Sequence, residues 1–270
     1  MTSRHLFAAV AILLAASARL PAQWLNYPTA GAPKTASGSP NLKAPAPRTP
    51  DGKPDFSGLW EAEKNIPCPP DGCADGAAGH EFGNIGWGLK GGLPYQPWAG
   101  ELVKERMLQN GKDDPASHCL PPGIIKMHTT PLFRKIVQVP GLMVILNERD
   151  ATYRQIFTDG RPLPMDPQPS FYGYSTGKWD GDTLVVQSNG FRDGIWLDRS
   201  GSPLTEAGKI TERFRRVNYG HLEIQVTVDD PKAYRAPWTV KLNQFIVLNA
   251  ELLDDFCMEN EKDAAHMVGK

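Results

Sequence analysis

Apolar and polar residues alternate with a period of two from Gly173 to Val247, and no other feature constrains the fold of this chain as tightly. In the run LEIQVTVDD, Leu222, Ile224, Val226 and Val228 fall on one face and Glu223, Gln225 and Thr227 on the other. That is the pattern of a strand with one side in a core and one in water. Upstream, KITERFRR puts Ile210 and Phe214 on the same side as Glu212, and the joint VNYGH makes the two runs a hairpin. WDGDTLVVQ, beginning at Trp179, carries the turn signal Asp180-Gly181 between two further strand-like runs.

Similar runs precede this block. RKIVQV and LMVILNE meet across Pro140-Gly141, and YRQIFT ends at Asp159-Gly160. RPLPMDPQPS then forms a proline-fixed connection, and FRDGIWLDRSGSPLTEAG a long loop. ELLDDFC is expected as a last strand and MENEKDAAHMVG as a short terminal helix. The reading is a mostly β protein: an antiparallel, up-and-down barrel of about eight to ten strands with one or two helices and long loops.

Residues 1–22 have Arg4 and His5 ahead of an apolar run from Leu6 to Ala16 and small residues at Ala18 and Ala22, which predicts a cleaved secretory signal peptide. The run is shorter than the roughly 20 residues that span a bilayer. No membrane span after cleavage and a secreted or periplasmic location are therefore expected. Residues 23–53 are rich in proline (Pro28, Pro33, Pro40, Pro45, Pro47, Pro50) and poor in apolar groups, the composition of a flexible or polyproline-like leader. A single domain is expected over 54–270, with a loop and helix insertion at 65–112. Within that insertion Trp98, Leu102, Val103 and Met107 form a helical stripe, and Glu101 can pair with Lys104.

The balance of 29 Lys+Arg against 30 Asp+Glu excludes a general polyanion-binding surface, so no nucleic-acid partner is expected. The local basic group Arg213, Arg215 and Arg216 reads as a solvated outer strand face. Four cysteines, Cys68, Cys73, Cys119 and Cys257, allow three disulfide connectivities in an oxidising compartment. The preferred one joins Cys68 to Cys73 and Cys119 to Cys257. The spacing of C-P-P-D-G-C and the scattered histidines do not suit a metal site. No phosphate loop or dinucleotide fingerprint is present, and no cofactor is expected.

S-G-L-W at Ser57–Trp60, a G-x-W motif on the first strand before a meander, resembles the calycin and lipocalin arrangement, in which that tryptophan closes the base of a barrel. The phrases PDGKPDFSGLW, KDDPASHCLPPG, FRKIVQVPGLMVILNE, GYSTGKWDGDTLVVQSNGF and ITERFRR are similar to those of a group of secreted soil-bacterial proteins of acidobacterial type, over roughly 50–270. That resemblance implies a shared exported domain and supplies no reaction.

Candidate site residues follow from facing. If Ile210 and Phe214 point inward, so does Glu212, and a carboxylate in an apolar interior requires a partner. Arg154, Arg161 and Arg192 are the candidates. Tyr153, Gln155 and Phe157 share one face of their strand and Arg154 and Ile156 the other, so either face can line a pocket. Packing of Tyr153 and Phe157 in the core is the plainer expectation. Asp193 and Asp198 flank Trp196 in the long loop, a mixture of acids and a ring that also suits local Asx turns. Trp60, Tyr153, Arg154, Gln155, Trp179, Trp196, Asp198 and Glu212 are therefore the expected ligand-binding set, with no catalytic residue assigned. The expected role is binding of a small hydrophobic or amphipathic ligand in a barrel cavity. A cavity enzyme (hydratase, isomerase or hydrolase) using Glu212 with an Asp or His is the alternative. A surface interaction module built on the aromatic loop from Phe82 to Trp98 is another.

Overall fold

The structure, a computed structural model, describes residues 27–63 and 82–257. The signal peptide, Cys68, Cys73 and the C-terminal helix expected from the sequence lie outside these residues.

Eleven strands are present among them: β1 (Gly58–Ala62), β2 (Arg134–Val139), β3 (Leu142–Asn147), β4 (Tyr153–Phe157), β5 (Tyr174–Asp180), β6 (Thr183–Asn189), β7 (Ile195–Trp196), β8 (Pro203–Leu204), β9 (Lys209–Asn218), β10 (His221–Asp229) and β11 (Trp238–Ile246). Nine of them close a barrel in the order β1-β11-β10-β9-β6-β5-β4-β3-β2, and β7 and β8 form a separate ribbon. The long hairpin is in the expected register, with Ile224 opposite Phe214 and Val226 opposite Glu212. Leu222, Ile224, Val226 and Val228 are all buried, each contributing about 1.5–3 kcal/mol relative to an exposed side chain. Pro140-Gly141 joins β2 to β3, and Gly141 takes the positive φ of +78° that such a turn needs.

Every neighbouring pair in the barrel is antiparallel except β4 and β5, which are parallel and share only the pair Phe157–Thr176. The exception follows from the count. Strands alternating up and down around a closed ring must be even in number, so a ring of nine contains one parallel junction. It falls where RPLPMDPQPS returns the chain to the starting end before β5, and prolines, lacking an N–H, cannot extend a ladder there.

Helix α1 (Pro97–Leu108) buries Ala99 and Val103, while Trp98 and Met107 are 48% and 56% exposed. The expected stripe is therefore rotated: the helix touches the body along Ala99, Val103 and Arg106, where Arg106 lies 4.4 Å over the Trp196 ring and donates to the Gly201 carbonyl. The expected Glu101–Lys104 pair forms at 2.7 Å. Helix α2 (Gly123–Thr129) was not legible in the sequence; all seven of its residues are buried, so it lacks the polar face that marks a surface helix. ELLDDFC is not a strand. It follows Asn249, which has a φ of +56°, and touches the β3–β4 turn through one isolated bridge, Arg149–Asp255. The basic run is also split by its own parity. Arg216 faces inward with Glu212 and is 5% exposed, donating to the carbonyls of Asp55, Ser57 and Tyr219.

Residues 27–55, leader-like in composition, run along the end of the barrel that carries the β2–β3, β5–β6 and β9–β10 turns. Tyr219 and Gly220 N–H groups donate to the carbonyls of Ala44 and Leu42 at 2.8 and 2.9 Å. Arg48 forms a two-pronged pair with Asp182 at 2.9 and 2.6 Å. No helix among the described residues is long and apolar enough to cross a membrane.

Candidate functional site

The inward face of β9 carries Ile210, Glu212, Phe214 and Arg216, so the barrel wall delivers a carboxylate into the core with no exposure to solvent. Across the interior, the inward face of β4 delivers Arg154. Its guanidinium donates to Glu212 Oε1 at 2.9 Å and to Oε2 in a second short contact, a fork-to-fork pair. The remaining donors reach Ser175 Oγ on β5 at 3.2 Å and Ser188 Oγ on β6 at 3.0 Å, and the two hydroxyls bond each other at 2.8 Å. His128, on the last turn of α2, places Nε2 2.8 Å from Glu212 Oε1. Arg134 and Gln244 hold the far side of the histidine, both donating to its backbone carbonyl, at 2.7 and 3.0 Å.

Electrostatics follow from these bonds. Burial pushes the Glu212 carboxyl up, but the Arg154 charge and the bonds from His128 and Arg154 outweigh it and hold the group down at about 2. Burial lowers the His128 pKa below its usual value against the pull of Glu212, and the charges of Arg154 and Arg134 lower it further. The imidazole is therefore neutral at pH 7, with its Nε2–H donating to Glu212 Oε1. Burial also draws Arg134 down to about 9, which leaves it charged at neutral pH. A general acid or base works best with a pKa near the working pH and within reach of a substrate proton. Glu212 meets neither condition, since it is ionised, engaged at both oxygens and sealed from solvent. The C-terminal turn of α2, a helix whose seven residues are all buried, brings His128 into this network.

The eight residues expected to bind ligand sit in four places. Arg154 and Glu212 meet inside the barrel. Tyr153 and Gln155 point outward from β4; Tyr153 is 61% exposed, which corrects the expectation that it packs in the core. Trp60 and Trp179 lie at the turn end. Trp60 Nε1 donates to the Phe56 carbonyl at 2.9 Å beneath the Arg216 guanidinium, 4.9 Å from the ring, and Trp179 stacks on Phe56 at 5.6 Å. Trp196 and Asp198 belong to the β7–β8 ribbon. There Asp198 accepts from the N–H groups of Ile85 and Ser202 and from the Ser202 hydroxyl at 2.9, 3.0 and 2.6 Å. Burial raises the Asp198 pKa in spite of those bonds. Its geometry is that of a loop staple.

One concave surface does gather several of the expected residues. The parallel junction between β4 and β5 leaves a cleft of about 510 Å³ in the barrel wall, with Tyr153, Gln155 and Phe157 on one bank and Phe171, Tyr172 and Tyr174 on the other. Arg154 and Ser175, members of the buried network, form part of its lining. Phe157 is stacked on Tyr174 at 5.3 Å with the Arg161 guanidinium 3.9 Å away on its ring. Tyr172 donates to Thr152 Oγ1 at 2.9 Å, which fixes its ring. Tyr153 has no ring or hydrogen-bond partner to hold it among the described residues.

The sequence pointed to Glu212, to an arginine partner and to His128 only as one scattered histidine near a barrel mouth, but not to Ser175, Arg134 or Gln244, nor to Ser188 as a partner of the arginine. Ser188 shares the inward parity of Leu184 and Val186, and Gln244 that of Val240 and Leu242; in both cases a polar residue on an apolar face was the available signal. No group of three or more His, Cys, Asp or Glu suited to a metal ion occurs among the described residues. In comparisons with known proteins, no family model matches this chain and no curated protein matches it.

Proposed function

We propose that this is a small-molecule-binding β-barrel whose ligand sits in the β4–β5 cleft of the barrel wall, and that the ligand has a planar or ring-like apolar body and one hydrogen-bonding group. The observation that carries the reading is the meeting of Tyr153, Gln155 and Phe157 with Phe171, Tyr172 and Tyr174 around one cleft of about 510 Å³. Mostly apolar concave sites with a few placed polar groups are where small ligands bind. Tyrosine offers a large, stiff, amphipathic contact at low entropic cost, and the Gln155 amide supplies both a donor and an acceptor. The banks are rigid: β4 is anchored from inside by Arg154 and β5 by Ser175, so little ordering is left for the ligand to induce. A secreted or periplasmic site of action agrees with the Cys119–Cys257 disulfide. The barrel with a tryptophan packed across one end suits the calycin resemblance.

The test uses 1-anilinonaphthalene-8-sulfonate, an amphipathic ring probe, with fluorescence as the readout. Saturable binding is expected for the full chain, and Tyr153→Ala is expected to weaken it by about tenfold or more, the usual loss for an aromatic anchor. Because Tyr153 is exposed, the same variant should keep its urea midpoint, as surface substitutions shift stability by only about 0.5 kcal/mol. Probe affinity equal to the parent's in both Tyr153→Ala and Gln155→Ala would reject the cleft as the site. Native mass spectrometry of protein purified from an expressing bacterium would then report whether a small molecule is carried elsewhere.

A further inference from the structure

A second cavity, remote in composition from the β4–β5 cleft, has the chemistry of an anion site. It measures about 550 Å³ and is lined by Asp114, Ser117, Lys126, Thr130, Arg149 and Arg199 among others. Lys126 comes from the buried face of α2 and is 3% exposed, yet it borders this space. Its ammonium carries three donors, and Asp114 Oδ2 takes one of them in a short ion pair. The Trp196 ring centroid lies 5.9 Å from Nζ.

Most of the charges around the cavity are answered in pairs. Asp114 answers Lys126. Arg149 is answered by Asp150 at 3.2 Å and Asp255 at 3.1 Å. Asp198, behind the cavity wall, is committed to Ile85 and Ser202. Arg199 is exposed, and its guanidinium has no ion pair or hydrogen bond with any described residue. Its backbone is held in place, since Arg199 N–H donates to the Phe82 carbonyl at 2.9 Å. Burial lowers the Lys126 pKa, Asp114 and Asp198 oppose the shift, and the nearby Arg199 charge adds to it. Two cations lining one cavity, Lys126 and Arg199, form the arrangement that a planar or tetrahedral oxyanion satisfies by charge-assisted bonds.

We infer that this cavity binds the oxyanion group, carboxylate or phosphate, of a small molecule between Arg199 and Lys126. The inference is independent of the role proposed for the β4–β5 cleft. Inorganic phosphate titrated into the ¹⁵N-labelled full chain should give saturating amide shifts at Ala116, Ser117, Lys126, Thr130 and Arg199. In Arg199→Gln, an exposed substitution that leaves the Lys126–Asp114 pair intact, the apparent Kd should rise about tenfold, the loss typical of one charge-assisted contact. Arg213→Gln, on the outer barrel wall, should leave it unchanged. A parallel titration with acetate separates a site that accepts any oxyanion from one that needs the tetrahedral phosphate. Shifts that do not saturate, or an Arg199→Gln variant that binds phosphate and acetate as tightly as the parent, would overturn the inference.

Discussion

Glu212→Gln is expected to lower the unfolding free energy by about 3–5 kcal/mol, the range for breaking one side of a buried ion pair. The substitution keeps the shape of the side chain and removes only its charge. Arg154 would then be a cation with 2% of its surface exposed and no counter-charge, and His128 Nε2 would lose the ionised acceptor to which it donates. Urea unfolding followed by tryptophan fluorescence measures the difference. A loss below about 1 kcal/mol would show that the pair contributes little and that the serine hydroxyls suffice for Arg154. Replacing both partners with apolar residues of similar volume is expected to cost much less than the single change, because no charge is then stranded.

The same network sets a pH dependence whose sign can be worked out. The folded pKa of His128 is depressed from 6.5, so below that value the unfolded chain binds a proton that the native state refuses. Stability therefore falls as pH drops below 6.5, with a slope approaching about 1.4 kcal/mol per pH unit for one proton. Glu212, depressed from 4.5 to about 2, contributes stability that is fully present above pH 4.5 and is lost as pH falls toward 2. Acid unfolding should thus proceed in two windows. His128→Asn should flatten the upper window and leave the lower one; an unchanged slope between pH 6.5 and 5 would assign the upper window to another group.

Removing the Cys119–Cys257 disulfide, by reduction or by Cys→Ala at both positions, is the second large effect expected. The bridge joins residues 138 apart in sequence, and in the chain-entropy account a loop of that length constrains the unfolded state by up to about 5 kcal/mol, with measured losses commonly about 2–5 kcal/mol. The local structure suggests where the loss will show. Asp255 is held to the β3–β4 turn by Arg149 and by backbone bonds with Asp150 and Glu148, and the Cys257 N–H donates to Asp150 Oδ1 at 2.9 Å. These contacts are on the surface and individually weak, so residues 251–257 should lose amide protection on reduction while the β9–β10 hairpin keeps it. Hydrogen exchange measured with and without a reductant distinguishes this from global unfolding. Equal midpoints for the oxidised and reduced proteins would mean that the native contacts alone hold the tail.

Much of the barrel was legible because period-two alternation reports facing directly. Leu222 to Val228, Ile210 and Phe214 are inward as their pattern requires, and the same parity places Glu212 among them. Once a carboxylate lies on an apolar face, desolvation demands a cation, and Arg154 was one of three named candidates. The reading failed where both faces of a strand carry apolar groups. On β4, Tyr153 and Phe157 face Ile156 across the strand, and alternation alone does not say which set is buried. Arg216 shows that parity outranks charge in setting a strand residue's facing: it lies inward with Glu212 and Phe214.

What the sequence settled by itself was local and periodic: the strands, the Pro140-Gly141 turn, the inward carboxylate and its need for a partner. What only the tertiary structure decided were matters of closure and of contact between distant segments. Nine strands rather than eight force one parallel junction, and the proline-rich return before β5 locates the cleft there. A seven-residue helix, buried on every side and so without an amphipathic signature, brings His128 to Glu212. Facing is written in each strand by its nearest neighbours along the chain, whereas the ring's count and the partners inside it depend on the free energy of the whole assembly, which no single segment encodes.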